Sequence, residues 1–287
     1  MKIQEQAPAK INLALNILGR RTDGYHELRM VMQSVSLCDT VTVEETGTGF
    51  TLLADGFTVP AGKSSLEQQA AEAFFAAVGR PMPPLTVHLE KTTPAYAGLG
   101  GGSADVAALL RCLRRQYAPK MPVEQLRAIG LTVGSDMPFC VSGGTALAEG
   151  RGERLTALPA LPDCWIVLCK PEFGIPTPAL FTLADAGTPK NRPDIDGMIR
   201  ALSAEDLNGV AARLCNVFEE FLPEEYHEVF HIKNRLLELG ALNAAMSGSG
   251  PTVFGIFREE TAAKAALTAL KQRYPQTYLA KPVGELV

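Results

Sequence analysis

Apolar and polar residues alternate from the tenth position of the chain onward. In residues 10–18, "KINLALNIL", the apolar side chains fall on one face and Lys10 and Asn12 fall on the other. A period of two predicts a β-strand. Lys10 and Asn12 therefore lie side by side on this strand. The segment "GRRTDGYHEL" that follows predicts a turn with Asp23-Gly24 at its tip.

The same periodicities predict the other elements of the chain. Strands are expected at 30–37, 40–45, 50–53, 85–91, 164–169, 243–246, 252–257 and 277–281, and a hairpin at 143–158. Helices are expected at 65–78, 103–116, 123–129, 205–220, 226–239 and 260–273. The second half thus has the order β-α-β-β-α-β with an extra helix, which is typical of a ferredoxin-like domain. We predict an α+β protein with domains 1–158 and 159–287, divided at "PALPD".

A glycine-rich stretch, "TTPAYAGLGGGSADVAALL", joins a predicted strand to a predicted helix. Ser103 occupies the position expected of the helix N-cap. Free N–H groups and the positive end of the helix dipole make such a loop an anion site, and a phosphate is the expected anion. A Walker A loop would have lysine where Ser103 stands, and the match to G-x-G-x-x-G is loose. The alternative is a glycine turn that only lets the helix pack closely.

Composition narrows the possible partners. The 287 residues have 46% hydrophobic and 20% charged side chains, and the net charge of −4 gives no reason to expect nucleic acid. No stretch is apolar enough to span a membrane, and the first residues match neither a signal nor a transit peptide. Neither the six scattered cysteines nor the four histidines have the spacing of a metal site. We expect a cytoplasmic protein with reduced cysteines.

Two charged residues are candidates for chemistry. Lys10 lies beside Asn12 on its strand, although an exposed lysine on an edge strand is the alternative. Asp136 lies within the apolar stretch "LTVGSDMPFCVS", where a carboxylate needs a partner, but it could also cap a helix that starts at Pro138. The sequence does not show whether Lys10 and Asp136 meet. A second glycine-serine loop, "MSGSGPTVFG", could approach a ligand or form an ordinary hairpin.

Taken in order, PAKINL, DGYH, PAYAGLGGGSAD, LTVGSDMPF and MSGSGPTVFG resemble the motifs of the GHMP kinases over nearly the whole chain. Members often have a second serine where this chain has Ala104, so the resemblance supports the backbone cradle and not a hydroxyl there. It implies an N-terminal ribosomal-protein-S5-like α/β domain and a C-terminal ferredoxin-like domain. It also implies a small-molecule kinase that uses ATP and Mg²⁺, as a monomer or weak homodimer that binds neither nucleic acid nor membrane.

The resemblance also implies particular site residues. Lys10 and Asp136 would be catalytic, and no residue is assigned as a metal ligand. The substrate would be cytidine-diphosphate methylerythritol, phosphorylated on its 2-hydroxyl and bound by Asn12, Tyr25, His26, Thr177 and Phe181. Tyr25 and Phe181 would lie on the two faces of cytosine, and His26 would bind its edge. The nucleotide-binding residues would be Lys91, Pro94, Ala95, Tyr96, Ala97, Gly98, Leu99, Gly100, Gly101, Gly102, Ser103 and Ala104.

Three alternatives stay open at this point. A GHMP kinase for mevalonate or homoserine would share the glycine loop but lack DGYH. A nucleotide-binding regulatory protein on the same fold should have lost Lys10 or Asp136. A Rossmann oxidoreductase would need its G-x-G-x-x-G motif near the start of the chain.

Overall fold

The first half of the chain forms a large sheet covered by helices. The computed structural model describes residues 2–54 and 64–287. The strands of this half are β1 (Lys2–Arg20), β2 (His26–Glu44), β3 (Phe50–Ala54), β4 (Leu85–Glu90), β5 (Thr145–Gly150) and β6 (Arg154–Ala157). The helices are α1 (Leu66–Ala77), α2 (Gly101–Tyr117), α3 (Val123–Leu131) and α4 (Met137–Ser142).

The second half forms a smaller sheet with its own helices. The strands of this half of the chain are β7 (Trp165–Cys169), β8 (Cys215–Asn216), β9 (Asn243–Met246), β10 (Val253–Phe257), β11 (Thr277–Ala280) and β12 (Pro282–Val283). The smaller sheet consists of β7, β9, β10 and β11. The helices of this half are α5 (Thr177–Asp185), α6 (Ile195–Ser203), α7 (Leu207–Ala212), α8 (Glu228–Glu238) and α9 (Glu260–Lys271). Two 3₁₀ turns lie at Val217–Phe221 and Glu224–Tyr226.

The sheet topology confirms the predicted α+β architecture. The second sheet is antiparallel with the order β11-β7-β10-β9, which is the arrangement of a ferredoxin-like domain. The first sheet has the order β3-β4-β2-β1-β8, with β5 and β12 also paired to β2 and β6 paired to β5. Its mainly antiparallel pairing rules out the Rossmann alternative, which needs a mostly parallel sheet. The short strands β8 and β12 come from the second half, so the two halves share this sheet.

Strand β1 lies between the two parts of the molecule, and this position orients its side chains. Ile11 and Leu13 are fully buried in one apolar cluster with Ile166 and Phe254 of the second sheet. Burying a side chain of this size contributes about 1.5–3 kcal/mol. Since neighbouring positions on a strand point to opposite faces, this packing fixes Lys10 on the other side.

Helix α2 covers the first sheet and supports the glycine loop. The apolar face predicted for it is buried, and its members are Val106, Leu109, Leu110 and Leu113. The predicted serine cap is wrong, because α2 begins at Gly101 and its N-cap is Gly100. Gly100 has φ +66°, a left-handed conformation that favours glycine over any residue with a Cβ. The loop therefore enters the helix through a glycine and not through Ser103.

Several other predictions of secondary structure are wrong. The strands expected at 30–37 and 40–45 are one continuous strand, β2, which pairs with different neighbours along its length. The helix expected at 205–220 ends as α7 at Ala212, since Cys215–Asn216 pair with β1 and the Asn216 side chain caps the next turn. Helices α5 and α6 were not predicted, and α4 entered only as the alternative in which Asp136 caps a helix that starts at Pro138. They are short, and prolines precede or begin α4 and α5.

Candidate active site

A cavity of about 970 Å³ lies where the two halves of the chain meet. Strand β1, the turn after it, the glycine loop, helix α5 and the second glycine loop all contribute to its wall. Residues from each predicted group line it, namely Lys10, Asn12, Tyr25, His26, Tyr96, Gly98, Gly100, Ser103, Asp136, Thr177 and Phe181. The fold therefore brings together residues that are far apart in the sequence. Lys10 and Phe181, for example, are separated by 171 positions.

Lys10 lies in the floor of this cavity. It is only 5% exposed, so the alternative of an exposed edge-strand lysine is wrong. Its backbone N–H donates to the carbonyl of Leu99 at 2.9 Å, which joins β1 to the glycine loop. Its ammonium donates to Oδ1 of Asn12 at 2.8 Å and lies 3.5 Å from Oδ2 of Asp136. Asn12 therefore holds the ammonium toward the carboxylate.

Asp136 occupies the N-cap position of α4, but its side chain accepts no capping hydrogen bond. The helix-cap alternative is thus wrong for its carboxylate, although Pro138 does lie in the first turn of the helix. Because 35% of the Asp136 side chain is exposed and faces the cavity, its carboxylate can contact both Lys10 and a ligand.

The two glycine loops pack against each other with almost no space between their backbones. A Cβ on Gly98 would lie 2.1 Å from the carbonyl oxygen of Ser247, whose hydroxyl in turn donates to the carbonyl of Gly98 at 2.9 Å. A Cβ on Gly248 would lie 3.3 Å from the Lys10 ammonium. The second loop is therefore a wall of the cavity and more than a hairpin connection.

One part of the first loop stays open toward the cavity side. The N–H groups of Gly101, Gly102 and Ser103 begin α2, where helix geometry provides no acceptor, and no backbone partner for them is found within 2–54 and 64–287. A Cβ on Gly102 would meet no atom within 4 Å, whereas one on Gly101 would lie 3.0 Å from the Thr93 side chain. This arrangement fits an anionic phosphate at the N-terminus of α2.

Behind the loop, a partly exposed lysine pairs with two buried carboxylates. The Lys91 ammonium contacts Asp39 and lies 2.5 Å from Oδ2 of Asp105. Asp39 also accepts hydrogen bonds from the N–H groups of Thr92 and Thr93, which begin the loop. Burial raises the pKa of Asp105 to about 7, and the neighbouring Asp39 acts in the same direction, while Lys91 opposes both. The Lys91 ammonium thus pairs with two carboxylates in this structure, and the role of Lys91 in nucleotide binding stays a prediction.

The aromatic side chains line the opposite end of the cavity. The rings of His26 and Phe181 stack with centroids 4.3 Å apart, and His26 Nε2 lies 2.7 Å from Asp185 Oδ1. Tyr25, 52% exposed, packs its ring against the Arg151 guanidinium at 4.5 Å. Each ring therefore has a partner within the protein, and the stacking of a base between Tyr25 and Phe181 stays a prediction.

Thr177 and three unpredicted residues complete this wall. The hydroxyls of Thr177 and Ser249 lie 2.7 Å apart and link α5 to the second glycine loop. Arg151, Asp185 and Ser249 line the cavity but were not predicted. Arg151 could have been found, because it stands between Gly150 and Gly152 at a hairpin turn, where a side chain is easily presented. Asp185 has no comparable signal in the sequence.

On this two-part fold, a glycine loop at the start of α2 beside a buried lysine that pairs with a cavity-facing aspartate defines a small-molecule kinase of the GHMP type. The GHMP kinase N-terminal domain model matches residues 65–144, and the GHMP kinase C-terminal model matches residues 193–276. The chain belongs to the GHMP kinases, and within them to the 4-diphosphocytidyl-2-C-methyl-D-erythritol kinase family.

Individual relatives support this assignment over almost the whole chain. The 4-diphosphocytidyl-2-C-methyl-D-erythritol kinase of Moorella thermoacetica is 41% identical over 278 residues, which cover 96% of this chain and 97% of that protein. The kinase of the same name from Bacillus pumilus is 38% identical, and the match covers 99% of this chain and 98% of that protein. A crystal structure of 4-(cytidine 5'-diphospho)-2C-methyl-D-erythritol kinase superposes with a TM-score of 0.82 at 31% identity. The superposition covers 98% of this chain and 100% of the chain in that structure.

Proposed function

We propose that this chain transfers the γ-phosphoryl group of ATP to the 2-hydroxyl of 4-diphosphocytidyl-2-C-methyl-D-erythritol, a step of the non-mevalonate isoprenoid pathway. One observation supports the reaction above all others. The buried ammonium of Lys10 lies 3.5 Å from Asp136 in a cavity that also reaches the open glycine loop and the aromatic wall. Donor and acceptor can therefore meet at this pair.

Lys10 and Asp136 are proposed as the catalytic residues. In the reaction the acceptor oxygen forms a bond to the γ-phosphorus, the bond to the bridging oxygen breaks, and ADP leaves. The transition state is loose, so positioning and positive charge provide most of the rate enhancement. Lys10 neutralises charge on the transferring group, while Asp136 orients the hydroxyl and accepts its proton late. A unit charge pair at 4 Å has a Coulomb energy of roughly 4 kcal/mol at an effective dielectric near 20, before desolvation and solvent screening.

The glycine loop, residues 94–104, is proposed as the ATP site. The open N–H groups at the start of α2 suit a phosphate, and Lys10 lies against Gly100. Within the described residues, no group of three or more His, Cys, Asp or Glu side chains is placed to hold a metal ion. We therefore propose that Mg²⁺ is bound through the phosphates of ATP. There it would neutralise charge on the phosphate oxygens during transfer.

The aromatic end of the cavity is proposed as the cytidine site. Tyr25, His26 and Phe181 supply ring faces and a ring nitrogen, and Asn12 and Thr177 lie nearer to the reacting end. The rings of Tyr25 and Phe181 contact Arg151 and His26 respectively, and we propose that a base stacks against them at this end. Binding at this end would leave the methylerythritol part close to Asp136.

Other parts of the proposal concern the setting of the enzyme. We propose a cytoplasmic monomer or weak homodimer, divided at residues 1–158 and 159–287, that binds neither nucleic acid nor membrane. All six cysteines are unpaired, which suits a reducing compartment. No helix within 2–54 and 64–287 has the length and apolar character needed to cross a bilayer.

An ADP-release assay tests the proposed reaction directly. Purified protein, ATP and Mg²⁺ are combined with 4-diphosphocytidyl-2-C-methyl-D-erythritol, mevalonate or homoserine in parallel, with Lys10→Met as the control. We expect ADP release only with the cytidine substrate. Release only with mevalonate or homoserine would assign the chain to another GHMP reaction. Nucleotide binding without turnover of any acceptor would favour the regulatory alternative.

A further inference from the structure

Tyr96 has an unusual place in the glycine loop. Its backbone is left-handed, with φ +51°, in a region where a residue with a Cβ is uncommon. It is also 86% exposed, the highest value among the exposed large hydrophobic residues within 2–54 and 64–287. A strained backbone and an exposed aromatic ring are both unfavourable for folding, and they occur here in one residue.

Folding contacts do not account for this tyrosine. No hydrogen bond, ion pair or ring contact joins its side chain to any part of the chain that the structure describes. Gly174 lies beside its Cβ, since a Cβ built on Gly174 would be 3.2 Å from that atom. Glycine would adopt the same backbone without strain, and asparagine would do so at a lower cost than tyrosine. Among residues 2–54 and 64–287 the ring therefore has no hydrogen-bonding, ionic or aromatic partner that would favour it at this position.

The position of Tyr96 relative to the cavity points to a ligand. Tyr96 lines the cavity together with Gly98 and Gly100 of its own loop, and Ile175 and Thr177 lie in the wall that leads into α5. It thus stands where the proposed nucleotide site and the proposed acceptor site meet. Both proposed ligands have a phosphate chain, one in ATP and one in the cytidine diphosphate group.

We propose that Tyr96 is a ligand-contacting residue that covers the phosphate chain of a bound substrate. Its ring excludes water from one side of the phosphates, and its phenol O–H donates a hydrogen bond to a phosphate oxygen. Exclusion of water strengthens the electrostatic interactions beneath the ring, including those of Lys10. The proposal deepens the proposed function, because it assigns a phosphate-contacting residue at the site of that reaction.

Substitutions separate the ring, the hydroxyl and the backbone. Tyr96→Gly removes the ring and relieves the left-handed strain, so it should keep or raise the melting temperature. The same variant should weaken binding of the covered ligand at least about 5-fold, which is the change expected from roughly 1 kcal/mol. Tyr96→Phe keeps the ring and should give a smaller loss. Tyr278→Phe, which removes a hydroxyl from a tyrosine outside the cavity lining, is the matched control.

The readouts are calorimetric titrations with ADP and with cytidine diphosphate, and the KM values for ATP and for the acceptor. Loss confined to ADP and ATP places the ring over the nucleotide, and loss confined to cytidine diphosphate and the acceptor places it over the substrate. Either result supports the proposal. Unchanged affinities for both ligands in Tyr96→Gly would overturn it, as would a lowered melting temperature with unchanged affinities. The titrations need no turnover, so they remain decisive for Tyr96 even if the proposed reaction is not observed.

Discussion

The ammonium of Lys10 lies 3.5 Å from the carboxylate of Asp136, although the two residues come from elements 126 positions apart. If they act as a unit, Lys10→Met and Asp136→Asn should each lower turnover at least ~10²-fold, and the double variant should lose little more. Steady-state kinetics of the three variants with the cytidine substrate provide the test. Losses that multiply fully in the double variant would show that the two residues act independently.

The glycine loop offers a matched pair of substitutions. Gly102→Val should fold normally, because a Cβ there meets no atom within 4 Å beyond its chain neighbours and its own helix backbone. It should lose ATP affinity, because its side chain stands at the start of α2 where the phosphate is proposed to bind. Gly101→Val should lower the melting temperature, since a Cβ there lies 3.0 Å from Thr93. Thermal melts and nucleotide titration distinguish the two effects. Unchanged ATP affinity in a folded Gly102→Val protein would contradict the phosphate cradle.

Tyr25 tests the location of the cytidine group. Stacking of a base on an aromatic side chain contributes roughly 1–3 kcal/mol, so Tyr25→Ala should raise the KM for the cytidine substrate about 5- to 150-fold. The KM for ATP should hardly change, because the nucleotide site is built by another loop. Both constants are measured on one preparation with a normal melting temperature. A variant that loses ATP affinity and keeps the cytidine substrate would contradict this assignment.

Arg151 is expected to bind the diphosphate of the acceptor. Its guanidinium packs on Tyr25, and a Cβ on the adjacent Gly152 would lie 4.0 Å from Asp136 Oδ1, so Arg151 lies between the aromatic wall and the reacting end. Charge-assisted hydrogen bonds contribute about 1.5–3 kcal/mol. Arg151→Ala should therefore raise the KM for the acceptor at least about 10-fold. The KM of this variant should also change less with salt concentration than that of the unmodified protein.

The control for this prediction is Arg154→Ala. Arg154 lies three positions further along the same hairpin, but its side chain pairs with Glu27 and does not line the cavity. We expect no change in either KM from this variant. Equal effects of the two substitutions would indicate a general effect of lost positive charge and not a contact with the diphosphate.

Asp105 should make stability depend on pH. Its pKa in the folded protein is raised from 3.8 to about 7, chiefly by burial, and its Oδ1 has no hydrogen-bond partner in the described chain. A raised pKa means that the stabilising contribution of the group is complete below about pH 3.8 and is lost as the pH rises to about 7. Asp105→Asn does not titrate. The free energy of unfolding of the Asp105→Asn variant, relative to that of the unmodified protein, should therefore increase from about pH 5 to about pH 8.

Urea unfolding of both proteins at the two pH values measures this difference. Asp196→Asn is the control, because Asp196 is exposed and its pKa is lowered by a hydrogen bond from Arg29. A constant difference between Asp105→Asn and the unmodified protein would show that Lys91 keeps Asp105 ionised throughout this range, against the effects of burial and of Asp39.

Local patterns in the sequence were enough to predict much of the fold. The period of two in β1, the helical period of α2 and the glycines between strand and helix each reflect contacts or dihedral angles of neighbouring residues. The motifs indicated the GHMP family and its two-part architecture, and the family models and relatives confirm both. Two of the predictions that failed depended on distant partners. Helix α7 ends early because Cys215–Asn216 pair with β1, and β2 stays continuous because its neighbours change along its length.

The sequence by itself therefore determined many of the elements, the glycine loop and the candidate residues Lys10 and Asp136, since these follow from local spacing and residue type. Only the tertiary structure decided that Lys10 is buried, that Asn12 directs it toward Asp136, and that Lys91 pairs with two carboxylates behind the loop. These relationships arise when the second sheet packs on Ile11 and Leu13 of β1 and fixes the direction of the polar face. Contacts between residues this far apart depend on packing of the whole chain, which the spacing of nearby residues does not determine.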